Sequence, residues 1–259
     1  MCEVVFITPN MNGKIVGEAI GTLQLATILK NQGISCEILQ FFRIGDLSDF
    51  QGFMDSAIDK VEEKSPKIVS FYTRCDSYHI VLKMAQRIKE RWNDVYVVFG
   101  GPQSDITAME TLEQIPYVDF VCCGEGEKTI YPFFSSLLRR EPDLSVAGLV
   151  YRANDGVKKN PRPELVEYLD NLPQIDYSFL SFTQNDDKTD TIYFPIEVGR
   201  GCPFGCTYCS TKTFWGRKYR LKSPQRIFKE VQEVYKQFGN TPKIYKIELF
   251  KVAASHSWC

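Results

Sequence analysis

The chain has 259 residues, 44% of them hydrophobic and 24% charged, with 31 basic against 32 acidic side chains and a formal net charge of −1. This is the composition of an ordinary globular protein with length for one large or two smaller domains. The near-neutral balance gives no bulk attraction to nucleic acid, and no stretch approaches the roughly 20 apolar residues that span a membrane. Nine cysteines are an odd number spread over a long chain, which suits reactive or metal-bound thiols in a reducing compartment better than a secreted disulfide framework. The N-terminus has no basic segment before its short apolar run, so no signal peptide is expected and a cytoplasmic location is inferred.

In chain order, Glu3 to Thr8 reads as a buried strand ended by Pro9-Asn10, and Ile15 to Asn31 as a helix stopped by Gly33. Cys36 to Leu39, Ile68 to Tyr72, Val95 to Phe99 and Val118 to Cys122 are further apolar runs of strand length. Between them, Asp49 to Lys64, His79 to Trp92 and Gln103 to Gln114 carry helical spacing, and Thr129 to Arg140 follows as a last helix. Strands that alternate with helices and are apolar throughout predict a parallel sheet covered on both faces. Right-handed crossovers make it a doubly wound α/β domain, which binds ligands at the carboxyl ends of its strands. Those ends are Thr8 to Gly13, Thr73 to Ser77, Gly100 to Gln103 and Gly124 to Glu127.

Two phosphate motifs are excluded there. Gly124-Glu-Gly-Glu-Lys-Thr lacks the third glycine of a dinucleotide fingerprint and the glycine before lysine of a P-loop. Gly100-Gly101 either admits a bulky ligand close to the backbone or permits a tight turn before Pro102; both readings stay open. Gly148 to Arg152 and Val157 to Lys159 flank Asn154-Asp155-Gly156, a hairpin signal with Asp-Gly at the φ > 0 positions of a type I′ turn. Gln184 to Asp190 is polar and reads as an exposed loop.

Ile192 to Val198 is an apolar strand, and it runs into Gly201-Cys202-Pro203-Phe204-Gly205-Cys206-Thr207-Tyr208-Cys209. Three thiols in one tight loop can hold three irons of a cubane cluster, whereas 4Fe–4S clusters normally take four cysteines. Structural zinc also takes four ligands, and the two histidines, His79 and His256, are far off in sequence. A disulfide between two of the three thiols would leave one over. Phe214 to Lys222 interleaves basic and aromatic residues, a weak nucleic-acid signal in a near-neutral chain. It is read as a loop covering the cysteines, with Arg217, Lys218 and Lys222 as candidate counter-charges. Ser223-Pro224 starts a helix with Ile227, Phe228, Val231, Val234, Tyr235 and Phe238 on one apolar face, stopped by Gly239. Lys243 to Phe250 is a last strand, and the tail with His256 and Cys259 shows no periodicity.

Cys202-x3-Cys206-x-Tyr208-Cys209 after a strand resembles the radical S-adenosylmethionine (SAM) signature. The resemblance implies that Cys202, Cys206 and Cys209 bind a 4Fe–4S cluster whose open iron takes the amino and carboxylate groups of SAM. Reductive cleavage would then give a 5′-deoxyadenosyl radical. Tyr208 matches the aromatic that lies by the adenine, and Glu248 is the acidic residue on the strand whose carboxyl end approaches the SAM amino group.

Over about the first 140 residues, strand–Gly100-Gly101-Pro102, Val118-Asp119-Phe120-Val121 and Gly124-Glu125-Gly126-Glu127 look like the cobalamin-binding domain that precedes the barrel in many radical SAM enzymes. That implies cobalamin contacts at Thr73, Gly100, Gly101, Gly124 and Glu125. The family's Asp-x-His-x-x-Gly is replaced by Thr8-Pro-Asn-Met-Asn-Gly13, so a histidine ligand from this loop is not expected; His79 reads as a surface or capping residue.

Residues 1–145 are thus expected to form a cobalamin-binding-like α/β domain, 146–190 a hairpin and linker, and 191–259 the start of a radical SAM partial (β/α) barrel. A full barrel needs about 250 residues, so the chain reads as the N-terminal portion of a longer enzyme or the product of a truncated gene. The resemblance implies a reductant such as flavodoxin or ferredoxin and a small-molecule or peptide substrate. The alternatives are a catalytically incomplete corrinoid- or cluster-binding module and, third, a zinc-binding protein.

Overall fold

The computed structural model describes residues 2–10, 20–42, 50–180, 191–238 and 244–251. The segment expected as an exposed loop at 184–190, the C-terminal tail, and the ends of the loop after the first strand lie outside these residues. The chain divides into two compact units. One takes the N-terminal strand and Ile28–Glu164; the other takes the first part of the opening helix and the chain from Leu165 onward.

The first unit is built on a seven-stranded sheet, β2-β1-β3-β4-β5-β6-β7. Its strands are β1 (Val4–Asn10), β2 (Cys36–Phe42), β3 (Ile68–Tyr72), β4 (Tyr96–Gly100), β5 (Phe120–Cys122), β6 (Leu149–Ala153) and β7 (Gly156–Lys159). The first five are parallel to one another. Val4, Val5, Ile7, Ile68, Val69, Val97 and Phe99 are fully buried, because helices remove both faces of a parallel sheet from water. The covering helices are α1 (Ile20–Asn31), α2 (Phe50–Lys64), α3 (Tyr78–Arg91), α4 (Pro102–Ile106), α5 (Ala108–Gln114) and α6 (Ile130–Leu138). Met54, Ala57, Ile58 and Val61 of α2 and Ile80, Val81, Met84, Ala85 and Ile88 of α3 supply the apolar stripes. The doubly wound expectation therefore holds.

Three local expectations change. The helix expected over 103–114 is two helices, α4 and α5, that meet at Thr107. The Thr107 hydroxyl donates to the Gln103 carbonyl at 3.1 Å alongside its own N–H, also at 3.1 Å, a local competition that bends a helix. The hairpin is present, with Ala153 facing Gly156 across a two-residue loop. It is not a type I′ turn, since neither Asn154 nor Asp155 has positive φ; Gly156 alone takes that backbone, at φ 118°. Nor is the hairpin a mere connector: β6 pairs antiparallel with β5 and β7 with β6, so the two strands form the edge of the sheet. Arg152 locks them there by donating to the carbonyls of Leu112 (2.9 Å) in the last turn of α5 and of Ile115 (2.6 Å) and Val118 (2.6 Å) in the segment that follows it.

The second unit holds a three-stranded sheet, β10-β8-β9. β8 (Thr191–Arg200) runs parallel to β10 (Ile244–Lys251) and antiparallel to the short β9 (Arg220–Leu221). α7 (Thr211–Trp215) and α8 (Pro224–Phe238) complete it. The Ser223 hydroxyl accepts from Arg226 N–H at 3.1 Å, as an N-cap before Pro224 should. The face of α8 differs from expectation. Val234 is buried, but so is Glu230 at 0% exposure, while Phe228 (63%) and Tyr235 (72%) are exposed. The first part of α1 belongs with this unit: Gln24 donates to Pro173 O at 3.1 Å, and Thr27 Oγ1 accepts from Asp176 N–H at 2.9 Å.

Candidate functional site

Two groups of residues carry the chemistry, one in each unit. In the first unit the strand order 2-1-3-4-5 puts the topological switch between β1 and β3, where such sheets hold ligands outside the carboxyl ends. Thr73 follows β3 and is fully buried. Its Oγ1 lies 2.9 Å from the Gly100 carbonyl and 2.8 Å from Ser104 Oγ, and accepts from Ser104 N–H at 2.9 Å. The hydroxyl is saturated, so Thr73 ties β3 to β4 and α4.

Gly101 has φ 98°, and a Cβ there would meet the Thr73 carbonyl and the Tyr72 ring, each at 2.9 Å. Gly124 has φ 83°, and a Cβ would meet the Pro163 ring at 3.0 Å. Both glycines are demanded by the protein's own packing. At Gly100 the nearest atom to such a Cβ is the Cys122 carbonyl at 3.8 Å, so this position alone of the three leaves room. Glu125 is 4% exposed. Thr73, Gly100 and Gly101 are thus drawn together, and Gly124 and Glu125 stand one strand further along.

Within the strand-end segments singled out from sequence, Thr8 to Gly13 and Thr73 to Ser77, three polar atoms not named there as contacts stand at the switch itself. Thr8 Oγ1 at the end of β1, and Asp76 Oδ1 and Ser77 Oγ after β3, are buried without a hydrogen-bond partner. Ser77 is the N-cap of α3, yet its side chain makes no capping bond. Buried polar atoms are rarely left unpaired. This edge therefore fits a ligand with its own hydrogen-bonding groups, as cobalamin has. His79 is exposed on the first turn of α3, as the sequence indicates. A second missed element is Arg162, which grips the buried Asp105 of α4 through contacts of 2.5 to 3.2 Å. The neighbouring Pro163 is thereby held over Gly124 and Gly148.

The second group is the cysteine loop. β8 delivers Arg200 and Gly201 to its start. Gly201 has φ 89°, and a Cβ there would lie 2.1 Å from the Lys218 carbonyl, so only glycine fits. Cys202, Cys206 and Cys209 are free thiols, Cys206 exposed and the other two partly so. Cys209 Sγ lies 3.1 Å from Thr211 Oγ1, and hydrogen bonds from Thr211 hold its thiol below the usual range. Tyr208 is 90% exposed, and its hydroxyl bonds to Cys206, which pushes the phenol up.

The other cysteines contrast with these. Burial, helped by the negative charge of Asp105, pushes the Cys123 thiol up to about 12, and burial does the same to Cys122. Among the described residues no three His, Cys, Asp or Glu side chains converge as a metal site. The donor set, three free thiols in one loop, fits a three-thiolate cluster.

The expected counter-charges are corrected. Lys222 is buried and bonds Glu230 at 2.8 and 3.0 Å. Lys218 pairs with Glu167. Arg217 alone of the three lies against the loop, with Nη2 3.3 Å from where a Gly205 Cβ would be. Glu248 lies on β10 opposite Pro195; its side chain is outside the described residues.

Residues 13–132 match the family model described as the B12 binding domain. An uncharacterised methyltransferase, PH0819, of Pyrococcus horikoshii is 32% identical over 165 residues, 63% of this chain and 35% of that protein. An anaerobic magnesium-protoporphyrin IX monomethyl ester cyclase of Rubrivivax gelatinosus is 28% identical over 91% of this chain and 43% of its own length. Among solved structures, the cobalamin-dependent SAM radical enzyme OxsB, with aqua-cobalamin and SAM bound, superposes with a TM-score of 0.72 at 20% identity, over 95% of this chain and 34% of that one. The radical SAM methyltransferase TsrM of Kitasatospora setae gives 0.69 at 16% identity, over 96% of this chain and 48% of that one. The chain spans between about a third and a half of the length of these relatives. No helix among the described residues is long and apolar enough to cross a membrane. The chain thus carries a B12 binding domain match over residues 13–132 and shares its fold with these solved structures.

Proposed function

We propose that this chain is the cofactor-carrying part of a cytoplasmic radical SAM enzyme that uses cobalamin, acting on a small-molecule or peptide substrate with a flavodoxin- or ferredoxin-type reductant. The observation that carries the reading is the loop after β8: three free thiols within eight residues, one of them held toward thiolate by Thr211. Cys202, Cys206 and Cys209 would hold a 4Fe–4S cluster, and Tyr208 and Glu248 would lie by SAM.

Such a cluster supplies the electron that cleaves SAM reductively, and cobalamin supplies methyl transfer or other chemistry at an unactivated carbon. The chain's own residues prepare for this. Thr211 favours the Cys209 thiolate, the state in which sulfur binds metal. Gly201 fixes the turn that aims the loop away from β8. In the first unit Thr73 holds the ends of β3 and β4 together beside Gly100. Thr8, Asp76 and Ser77 offer hydrogen-bonding atoms, so cobalamin would be held without a histidine from the loop after β1.

The test is to reconstitute the chain anaerobically with iron and sulfide, then add SAM and dithionite. Production of 5′-deoxyadenosine is expected. A second reading is a cluster- or corrinoid-binding module without turnover. An intact cluster with no SAM cleavage selects it, and zinc in place of iron on metal analysis removes the cluster from both readings.

A further inference from the structure

Among the described residues of the first unit, the buried side-chain atoms without a hydrogen-bond partner are Thr8 Oγ1, Asp76 Oδ1 and Ser77 Oγ. All belong to one place. β1 and β3 are paired, with Ile7 opposite Phe71. Thr8 follows Ile7, and Asp76 and Ser77 end the turn that leads from β3 into α3. A buried polar atom left unpaired costs stability and is rare in a folded protein. Loose packing does not account for these, because Thr73 on the same edge is saturated.

Ser77 shows that the local fold does not use its hydroxyl. Its carbonyl accepts from Ile80 and Val81 N–H, both at 3.1 Å. Its backbone stands at φ −115° and ψ 3°, outside the extended conformation of a capping serine, and its side chain makes no capping bond. The residue is 1% exposed and Thr8 is 5% exposed.

Asp76 adds a constraint on what the edge can take. Arg74 Nη2 donates to Asp76 Oδ2 at 2.8 Å, which leaves Oδ1 to a different donor. A carboxylate paired with arginine accepts and does not donate, whereas the serine hydroxyl next to it in sequence does both. A primary amide complements the two: its N–H meets a carboxylate oxygen and its C=O meets a hydroxyl. Corrinoid rings carry such amides on their periphery. A carboxylate in the same place would set oxygen against oxygen and bring no donor, the mismatch by which a hydrogen-bonding site rejects an analogue.

We propose that Asp76, with Ser77 and Thr8, selects the side-chain chemistry of the corrinoid. Asp76 Oδ1 and the Ser77 hydroxyl take a primary amide of the ring, Thr8 supplies a further hydroxyl from β1, and a ring side chain ending in a carboxylate is turned away. This rests on the cobalamin reading above, which says that a corrinoid binds and not which substituents it must carry.

The test has two arms on the full chain. In the first, equilibrium dialysis compares cobalamin, its separated monocarboxylates, each with one ring amide hydrolysed to the acid, and cobinamide, which keeps the amides and lacks the nucleotide tail. One monocarboxylate should bind wild type about a hundredfold more weakly than cobalamin. Asp76→Asn, which can donate as well as accept, should close that gap to within about threefold. Asp76→Ala should weaken cobalamin and cobinamide alike, by about tenfold. A loss confined to cobalamin places the donor on the nucleotide tail and overturns the amide assignment.

The second arm is thermal melting without corrinoid. Thr8→Val and Ser77→Ala should melt at or above the wild-type temperature, since neither loses a hydrogen bond, while each binds cobalamin about tenfold more weakly. Lower melting temperatures with wild-type binding would make both hydroxyls structural and overturn the proposal. A wild type that binds cobalamin and every monocarboxylate alike contradicts the selection and leaves the cobalamin reading standing. A wild type that takes up no corrinoid contradicts that reading and the proposal with it.

Discussion

The two glycine- and cysteine-bearing edges of this protein are made in opposite ways. At the edge of the first sheet the packing is closed: Thr73 is saturated, Gly101 and Gly124 are pressed against protein atoms, and Cys123 is held protonated. At the cysteine loop the root is closed but the loop faces water, with Cys206, Phe204 and Tyr208 exposed and Cys202 and Cys209 half-buried. A large, neutral-edged cofactor such as cobalamin is met by shape, which must exist beforehand. A metal centre is met by bonds strong enough to gather flexible ligands. Cysteine is therefore held as a buried thiol at Cys123 and is a ligand candidate at Cys202, Cys206 and Cys209.

Breaking the closed edge should cost most. A Cβ at Gly148 (φ 77°) would lie 2.3 Å from the Cys123 carbonyl and 2.8 Å from Pro163 Cδ, so Gly148→Ala should remove about 3 kcal/mol or more of stability in urea melts. Gly21→Ala is the control. Nothing lies within 4 Å of that Cβ, and the helix should gain about 0.5 kcal/mol.

Releasing the Arg162 latch should cost less. Arg162→Ala leaves the Asp105 carboxylate, 3% exposed, without its guanidinium. Because Arg162 itself is 38% exposed, the loss should be about 1 to 2 kcal/mol, below that of a fully buried pair. An unchanged melt would show that Pro163 is held without it.

The contrast between the cysteines can be read by pH. Cys209 should be alkylated by iodoacetamide at pH 8 about tenfold faster than Cys123, as mass spectrometry of the native chain would report. Equal rates would erase the distinction.

The raised Cys123 thiol also has a stability consequence. Burial holds its folded pKa at about 12, above the ordinary thiol value of 9.0, so its contribution is complete below pH 9 and is lost as pH rises from 9 toward 12. Stability should fall by up to roughly 1.4 kcal/mol per pH unit in that window, and Cys123→Ala should flatten the slope.

Much of the closed edge was legible in the sequence. Uninterrupted apolar runs such as Val95 to Phe99 admit little but buried parallel strands, and their alternation with helices points to the doubly wound order. The cysteine spacing identified the loop before any coordinates. What was not legible depended on partners distant in sequence. Nothing in the sequence singles out Arg162, Asp105 and Arg152, and only the fold brings Asp105 to Arg162 and three carbonyls to Arg152. Glu230 is invisible for the same reason. On a helical wheel it belongs to the polar face of α8, and only Lys222 and Arg226 make its burial tolerable. Conversely Phe228 and Tyr235 read as core and are exposed, because periodicity tells that a face is apolar and not what covers it. The break at Thr107 turns on one hydroxyl, below the resolution of a pattern.

The central claim is that three particular thiols, and none of the others, hold a metal centre. Iron and acid-labile sulfide bound per chain after anaerobic reconstitution test it most directly, in Cys202→Ala, Cys206→Ala and Cys209→Ala against Cys122→Ala and Cys123→Ala. The account predicts about four irons in wild type and in the last two variants, and loss of the centre in each of the first three. Iron retained in Cys202→Ala, or lost only in Cys123→Ala, would contradict it.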